Sequence, residues 1–324
     1  MILSIVIPTY NKQALLARTL TALSNQDLHD SDWEIIVVDD GSIDGTEAFL
    51  RTVHNQPGIR LRSVRPAQNC GRAMARNLGA QAASGRWLLF IDDDIVVPPG
   101  LLAAHLELLR NNPGCGTIGT VRTEASLIDG PHFHYIDSRG VAKISSGDVP
   151  ARYFVTQNAA VPRDDFLAVG GFETRFSAYG LEDMEVAFRL EDQRGMRFLP
   201  LTVPEPQHVH HHTLHEYLDK KREVGRFSLP LLASLHPDRV SEMRLHWVID
   251  SVPDQKNSIP ISLFRLAAMT GLVNLLISLV KHWSTGTAHL PRLSRFYYRL
   301  LDIIILLLYR QGVTEGSHGC HNGD

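Results

Sequence analysis

The stretch Arg86 to Pro99, RWLLFIDDDIVVPP, constrains the fold more than any other. Trp87 to Ile91 is an apolar run of strand length, uninterrupted enough to be buried on both faces of a parallel sheet. Asp92, Asp93 and Asp94 follow with no spacer, and a Pro-Pro turn then carries the chain away. Three adjacent carboxylates repel one another unless a cation or several donors face them. At the carboxyl end of a strand in an open α/β sheet they stand where ligands are usually bound. In extended chain, side chains two apart share a face, so Asp92 and Asp94 are expected to share a ligand while Asp93 turns elsewhere. Hard oxygen donors suit Mg2+ or Mn2+ held against substrate phosphates. A bare DxD also describes a solvated acidic turn; the apolar strand in front and the order of the motifs around it favour a site.

The chain before this stretch alternates short apolar runs with amphipathic ones. Leu3 to Ile7 predicts a strand ended by Pro8, and Asn11 is placed to cap a helix from Lys12 to about Asn25 whose apolar face is Leu15, Leu16, Leu20 and Leu23. WEIIVV (33–38) predicts a second strand, and Asp44 opens a helix to about His54. Arg60 to Val64 is a third strand, and the small-residue run CGRAMARNLGAQAA (70–83) suits a helix packed closely on a sheet. This repeat argues for Rossmann-like layers, yet no GxGxxG follows Ile7, so the dinucleotide fingerprint is missing where it belongs. Beyond Pro99 the pattern predicts a helix over 101–109, a strand over 116–122, an irregular or hairpin region over 124–153, extended chain over 154–161 and a short helix over 163–169. A Gly-Gly-Phe turn (170–172), a helix from Glu182 to about Gln193 and extended chain over 198–203 lead to the cluster His208, His210, His211, His212 and His215. Such a cluster is more often a polar surface than a metal site.

A chain of 324 residues with net charge -3 and mixed signs can bury a large core and offers no basic surface for nucleic acid. Cys70, Cys115 and Cys320 form no CxxC or zinc spacing, which fits a reducing compartment. MILSIVIPTYN has no basic segment ahead of its short apolar run and reads as a first strand rather than a signal peptide.

Six motifs in register resemble the family 2 glycosyltransferases, inverting enzymes of the GT-A fold: VIPTYN (6–11), VVDDGS (37–42), NCGRAMARNLG (69–79), FIDDD (90–94), GGF (170–172) and ED (182–183). The resemblance covers about residues 2 to 215. It implies a nucleotide-diphosphate sugar donor, usually a UDP-sugar, a glycan, lipid-linked or small-molecule acceptor, and Mg2+ or Mn2+. It also implies residue roles. Pro8, Thr9 and Tyr10 look like the turn bordering the nucleotide base, and Asp39 like the carboxylate accepting the uracil imide N–H. Asp40 is expected to hold the loop or reach the base edge, and Arg76 to line the nucleotide pocket. Asp92 matches the position near ribose and metal, and Asp94 the metal ligand facing the diphosphate. Asp183 matches the base that takes the acceptor's proton, with Glu182 orienting acceptor or loop. His208, ahead of His210, matches a third metal ligand. A nucleotidyltransferase would need a Gly-rich, Lys-containing loop near Pro8, which is absent; a non-catalytic nucleotide-sugar-binding protein would need neither Asp183 nor a complete metal site.

The expected organisation is a GT-A domain over 1–225 (a nucleotide-binding half over 1–100, an acceptor half over 101–225), a helical extension over 226–311 and a flexible tail over 312–324. In the extension, SLFRLAAMTGLVNLLISLVKHW (262–283) and FYYRLLDIIILLLYR (296–310) are leucine-rich. The uncharged stretch Leu266 to Val280 is fifteen residues, short of a comfortable span, and Asp302 interrupts the second segment. Three readings stay open: a soluble helical subdomain, a homodimer interface, or helices lying on a membrane with Lys281, Arg292, Arg295, Arg299 and Arg310 at the headgroups. The expected location is the cytoplasm, and the third reading places the protein there at the inner face of the cell membrane.

Overall fold

A computed structural model of the chain describes residues 2–29, 32–54, 60–144, 147–210, 212–249, 259–284 and 291–319. It falls into two compact units: Met1–Ile128 with Asp137–Ser177 and Glu182–His210, and Asp129–Ile136 with Ala178–Leu181 and His211–Asp324.

In chain order the first unit contains β1 (Leu3–Thr9), α1 (Gln13–Ser24), β2 (Trp33–Asp39), α2 (Thr46–His54), β3 (Leu61–Val64), α3 (Gly71–Ala82), β4 (Trp87–Phe90), β5 (Ile95–Val96), α4 (Leu101–Asn111), β6 (Gly116–Gly119) and β7 (Arg122–Thr123). Helix α5 (Pro131–Asp137) goes with the second unit except for its last residue, and the first unit resumes with β8 (Ala159–Pro162), α6 (Arg163–Ala168), α7 (Glu182–Arg194), β9 (Phe198–Leu201) and β10 (Gln207–His208). The main sheet has the order β3-β2-β1-β4-β8-β6-β9, and β5-β10-β7 form a small second sheet. Strands β1, β2, β3 and β4 are parallel and β8 runs against β4 and β6. The chain therefore winds outward from β1 to β3, then returns to β1's other side as β4. This is the topological switch at which such sheets bind ligands. Strands β1, β2 and β4 are buried on both faces and so are mostly apolar, the polar exceptions being Ser4 and Thr9 of β1 and Glu34 and Asp39 of β2. Helix α3 lies close on β1, as its small residues lead one to expect: a Cβ at Gly79 would come within 2.4 Å of Val6 Cγ1.

Several expectations are corrected. Asn11 does not cap α1. Lys12 holds the cap position, without a side-chain cap bond. Asn11, at φ 53°, accepts from the Ile43 amide at 2.8 Å instead and so joins two loops. The strand expected over 116–122 divides between the two sheets as β6 and β7. The region 124–153 is largely short helical turns, including α5.

The second unit continues with α8 (Leu214–Glu223), a π-helical turn (Val224–Ser228), α9 (Leu229–Leu235), α10 (Pro237–Glu242), α11 (Ile259–Met269), α12 (Leu272–Ser284) and α13 (Pro291–Gly319). Leu214 and Leu218 of α8, Val273 and Val280 of α12 and Leu301 and Ile304 of α13 share its core. Asp302, which interrupts α13's apolar run, accepts from Tyr135 Oη at 2.7 Å. Residues 312–319 are helix, where the sequence alone suggests a flexible tail; residues 320–324 lie outside the described residues. The glycines that suggest flexibility are a crossing contact. A Cβ at Gly312 would meet the Arg222 carbonyl oxygen at 2.2 Å, and one at Gly225 the Tyr309 carbonyl oxygen at 2.2 Å. Among the described residues no single helix is long and apolar enough to cross a membrane; α11 and α12 meet at a bend of 73°. Leu263, Leu266 and Met269 of α11 and Leu272, Leu275 and Leu279 of α12 are exposed.

Candidate active site

The carboxyl ends of β1, β2 and β4 bring Thr9, Asp39 and Asp92 to Asp94 to one edge of the main sheet. The expected sharing of a face by Asp92 and Asp94 does not hold. It assumed extended chain, and the chain turns here, with the Ile95 amide donating to Asp92 O at 3.2 Å. Asp93 and Asp94 both meet the Lys12 ammonium, at 3.0 Å (Oδ1) and 2.8 Å (Oδ2). Thr9 Oγ1 donates to Asp93 Oδ2 at 2.8 Å, which ties β1 to the turn after β4. Burial pushes the Asp93 carboxyl up to about 6 against the pull of Lys12, and Asp94 beside it adds to the rise. Burial also opposes ionisation of Asp94, but His208 and Lys12 together hold it well below the ordinary carboxylate range.

Asp92 turns to a second cation. Arg76, buried on α3, donates from Nη2 to Asp92 Oδ1 at 2.8 Å and from Nη1 to Glu182 Oε1 at 3.2 Å, and Nη1 lies 3.9 Å from Asp183 Oδ1. Three carboxylates from two distant segments thus surround one guanidinium. Glu182 is buried, and among the described residues its Oε2 has no hydrogen-bond partner. Asp183 accepts from Thr156 Oγ1 at 3.1 Å and from the Thr156 amide at 3.3 Å. Burial pushes the Asp183 carboxyl up to about 7, and Glu182 and then Asp92 add to this against the pull of Arg76 and the Thr156 amide. Its side chain keeps 20% of its surface, so solvent or a substrate hydroxyl can reach it. Glu182 and Asp183 also open α7, where acids favour the amino end of a helix, and that role is compatible with chemistry.

On the β2 side, Asp39 is buried; it pairs with Arg65 and accepts from the Ser42 amide at 2.9 Å. Asp40 accepts from the Cys70 and Gly71 amides at 2.8 and 2.9 Å, so it holds the loop at the start of α3. Pro8 is half-buried and Tyr10 exposed beside them.

The fit to a divalent cation can be judged from Asp94. Among the described residues its buried Oδ1 finds no hydrogen-bond partner, and His208 Nε2 stands 3.5 Å from it. The pairing of β10 with β5, His208 opposite Ile95, sets this approach. An oxygen and an imidazole nitrogen at that spacing suit two neighbouring ligands of one ion with bonds of about 2.1 Å. Among the described residues no group of three His, Cys, Asp or Glu side chains could hold a metal alone. A two-ligand site that leaves room for phosphates and water is usual for Mg2+. His210 lies 6.3 Å from His208, ring to ring; His215 pairs with Asp219; His211 lies outside the described residues.

The family described as glycosyl transferase family 2 matches residues 4–169, just over half of the chain. The chain belongs to glycosyl transferase family 2. A further match, to the N-terminal domain of galactosyltransferase, spans residues 142–212. Validoxylamine A glucosyltransferase of Streptomyces hygroscopicus subsp. limoneus is 32% identical over 234 residues, which cover 62% of this chain and 49% of that protein. Chondroitin synthase of Escherichia coli is 28% identical over 58% of this chain and 32% of its own length. This family 2 chain spans about half the length of the first two curated relatives. Among solved structures, the Pyrobaculum calidifontis mannosyltransferase in complex with GDP-Man and Mn2+ aligns with TM-score 0.64 at 18% identity, covering 95% of this chain and 86% of that one. S. aureus TarS 1–349 in complex with UDP aligns with TM-score 0.53 at 16% identity, covering 98% and 92%. These likenesses show the fold, and it is the GT-A fold that the motifs imply.

Four residues of this family 2 site are missed by sequence reasoning. Lys12 follows VIPTYN directly and Asn77 lies inside ARN, so both sit beside quoted motifs. Asn77 Nδ2 donates to Phe172 O and its Oδ1 accepts from Phe172 N, both at 2.8 Å, and Arg76 lies over the Phe172 ring. Arg65 and Thr156 stand in no motif, and only the fold brings them to Asp39 and Asp183.

Proposed function

We propose that the protein transfers a sugar, with inversion, from a nucleotide-diphosphate sugar to an acceptor hydroxyl. The supporting observation is the Arg76 cluster. One buried guanidinium draws a carboxylate from the donor edge, Asp92, and the carboxylate proposed as base, Asp183, into the same neighbourhood. Asp183 takes the acceptor's proton while that oxygen attacks the anomeric carbon opposite the departing diphosphate. Glu182 holds Arg76, and Pro8, Thr9, Tyr10, Asp39 and Asp40 border the nucleotide base. Because Arg65 already engages Asp39, a uracil N–H would compete with that guanidinium. A Mg2+ or Mn2+ on Asp94 and His208, with Asp92 nearer the ribose, would supply positive charge against the diphosphate.

Radiolabelled UDP- and GDP-sugars test the reading against lipid-linked and soluble glycans. Transfer, or slow hydrolysis to the nucleoside diphosphate, is expected. Pyrophosphate exchange would replace the reading with nucleotidyl transfer, and binding without turnover with a non-catalytic protein. Asp94→Asn is expected to lose most metal-dependent turnover and to weaken nucleotide-sugar affinity by about tenfold or more. Unchanged Mn2+-dependent UDP binding by calorimetry would remove Asp94 from the cation site.

The exposed leucine faces of α11 and α12 favour contact with a membrane surface at its cytoplasmic side. Residues 255–301 contain six Lys or Arg and no Asp or Glu, in a chain of net charge -3, which complements anionic headgroups. Leu275→Glu together with Leu279→Glu should abolish flotation with vesicles rich in anionic phospholipid and leave the melting curve in place, because both leucines are exposed. Failure of the unaltered protein to float, with a dimer by light scattering that these substitutions split, would assign the same face to a second copy.

A further inference from the structure

We propose that Lys12 is a built-in counter-ion that competes with the divalent cation for Asp94, so that cation and nucleotide diphosphate load the site together. This rests on the cation reading above. Lys12 Nζ lies 2.8 Å from Asp94 Oδ2 and 3.0 Å from Asp93 Oδ1. The two carboxylates carry two negative charges in a buried place, and one ammonium offsets half of them. Without it, the pair would attract any divalent cation strongly. With it, a cation approaching Asp94 gains less and also meets a like charge.

The exposures are unequal. The Lys12 side chain is 35% exposed and those of both aspartates 6%, so the ammonium can leave for water while the carboxylates cannot. A lysine on its flexible stem is suited to such an exchange, being a point charge with no fixed fork to satisfy. A diphosphate brings the displaced ammonium a new anionic partner. Cation entry is therefore favoured by the nucleotide, and nucleotide entry by the cation to the same degree, as linkage requires.

The test measures free Mn2+ by electron paramagnetic resonance, with and without UDP, on the full chain. Lys12→Gln removes the charge and keeps most of the length. It should bind Mn2+ alone about tenfold more tightly than the parent, and UDP should strengthen that binding by a smaller factor. Lys12→Ala is carried in parallel in case the glutamine variant does not fold, with the same expectation. Lys12→Arg keeps the charge and should bind Mn2+ alone no more tightly than the parent. Melting curves with and without Mn2+ accompany every variant and report the same affinities independently of turnover. Folded charge-free variants that bind Mn2+ no more tightly than the parent would overturn the competition, and so would an arginine variant that binds as tightly as they do. The double variant with Asp94→Asn separates the two readings. Tight Mn2+ binding that survives in it places the cation elsewhere and overturns the cation reading as well. Loss of that binding in the double variant, with tight binding in Lys12→Gln, supports both.

Discussion

Asp183→Asn is expected to fold, to bind the nucleotide sugar with Mn2+, and to transfer at least ~10²-fold more slowly than the parent at saturating donor and acceptor. Asn is nearly isosteric and can still accept from Thr156 and serve the amino end of α7, so a purely structural role for Asp183 predicts only a small change in stability. It cannot take a proton from the acceptor. Donor affinity should persist, because the site proposed for the diphosphate lies at Asp94 and not at Asp183. The pH dependence has a definite sign. Asp183 titrates near 7 in the folded chain, well above the ~3.9 of an unfolded Asp. The parent rate should therefore rise through about pH 7 as the base loses its proton. The same upward displacement means that the folded state holds a proton which the unfolded chain gives up, so Asp183's contribution to stability is lost as pH rises from about 4 through 7. The variant should thus gain stability relative to the parent above pH 7, and the gap should close below about pH 4. Near-normal transfer would remove Asp183 as base and turn attention to Glu182. An equal loss of donor binding and turnover would place Asp183 in the donor site.

Arg76→Met should be the most damaging single change to stability in the first unit. It leaves Asp92, Glu182 and Asp183 around a buried space without the guanidinium between them, and among the described residues Glu182 Oε2 already lacks a hydrogen-bond partner. Breaking a buried ion pair from one side costs about 3–5 kcal/mol. The loss should be larger above pH 7 than below it, because below about 7 Asp183 keeps its proton and no longer needs the guanidinium. Any remaining activity should have its rising limb displaced to higher pH, because Arg76 is what pulls Asp183 down. Arg76→Lys should recover part of the stability and little of the activity, since one ammonium cannot reach Asp92 and Glu182 with the spread of a guanidinium. Urea unfolding at several pH values, with a pH–rate profile, measures all of this. An unfolding midpoint for Arg76→Met within error of the parent at pH 8 would mean that the cluster is not what holds α3 to α7.

What was legible in the sequence follows from what each signal depends on. Strands β1, β2 and β4 are buried on both faces, so their apolar runs announce them without knowledge of partners. The acidic edge after β4 is equally local. The orientation of the three aspartates is not, because alternation presumes extended chain and the Asp92–Ile95 turn breaks it. Lys12 is separated from Asp93 and Asp94 by more than eighty positions, and nothing in its neighbours marks its partner. Asn11 satisfies every local condition for a helix cap, yet its side chain serves Ile43 in another loop. Gly312 and Gly316 look like tail composition, since close backbone crossing and flexibility call on the same residue. Thr156 and Arg65 are ordinary residues made important by topology alone.

The bond pair between Asn77 and Phe172 bears on how this protein can vary. Asn77 meets only the main chain of residue 172, donating with one atom and accepting with another. No substitution at 172 can therefore compensate for a loss at 77, because every residue but proline presents the same N–H and C=O there. Asp lacks the donor and Gln is a methylene too long. The neighbour is tied as well, for a Cβ on Gly171 would lie 2.4 Å from Asn77 Oδ1. Among relatives of this chain, positions 77 and 171 should then be nearly invariant while position 172 drifts among large apolar residues. Methods that infer proximity from correlated substitution would find no signal across this contact, although it ties α3 to the turn at residues 170–172. Here a strong physical coupling leaves its trace as silence at two positions rather than as paired change.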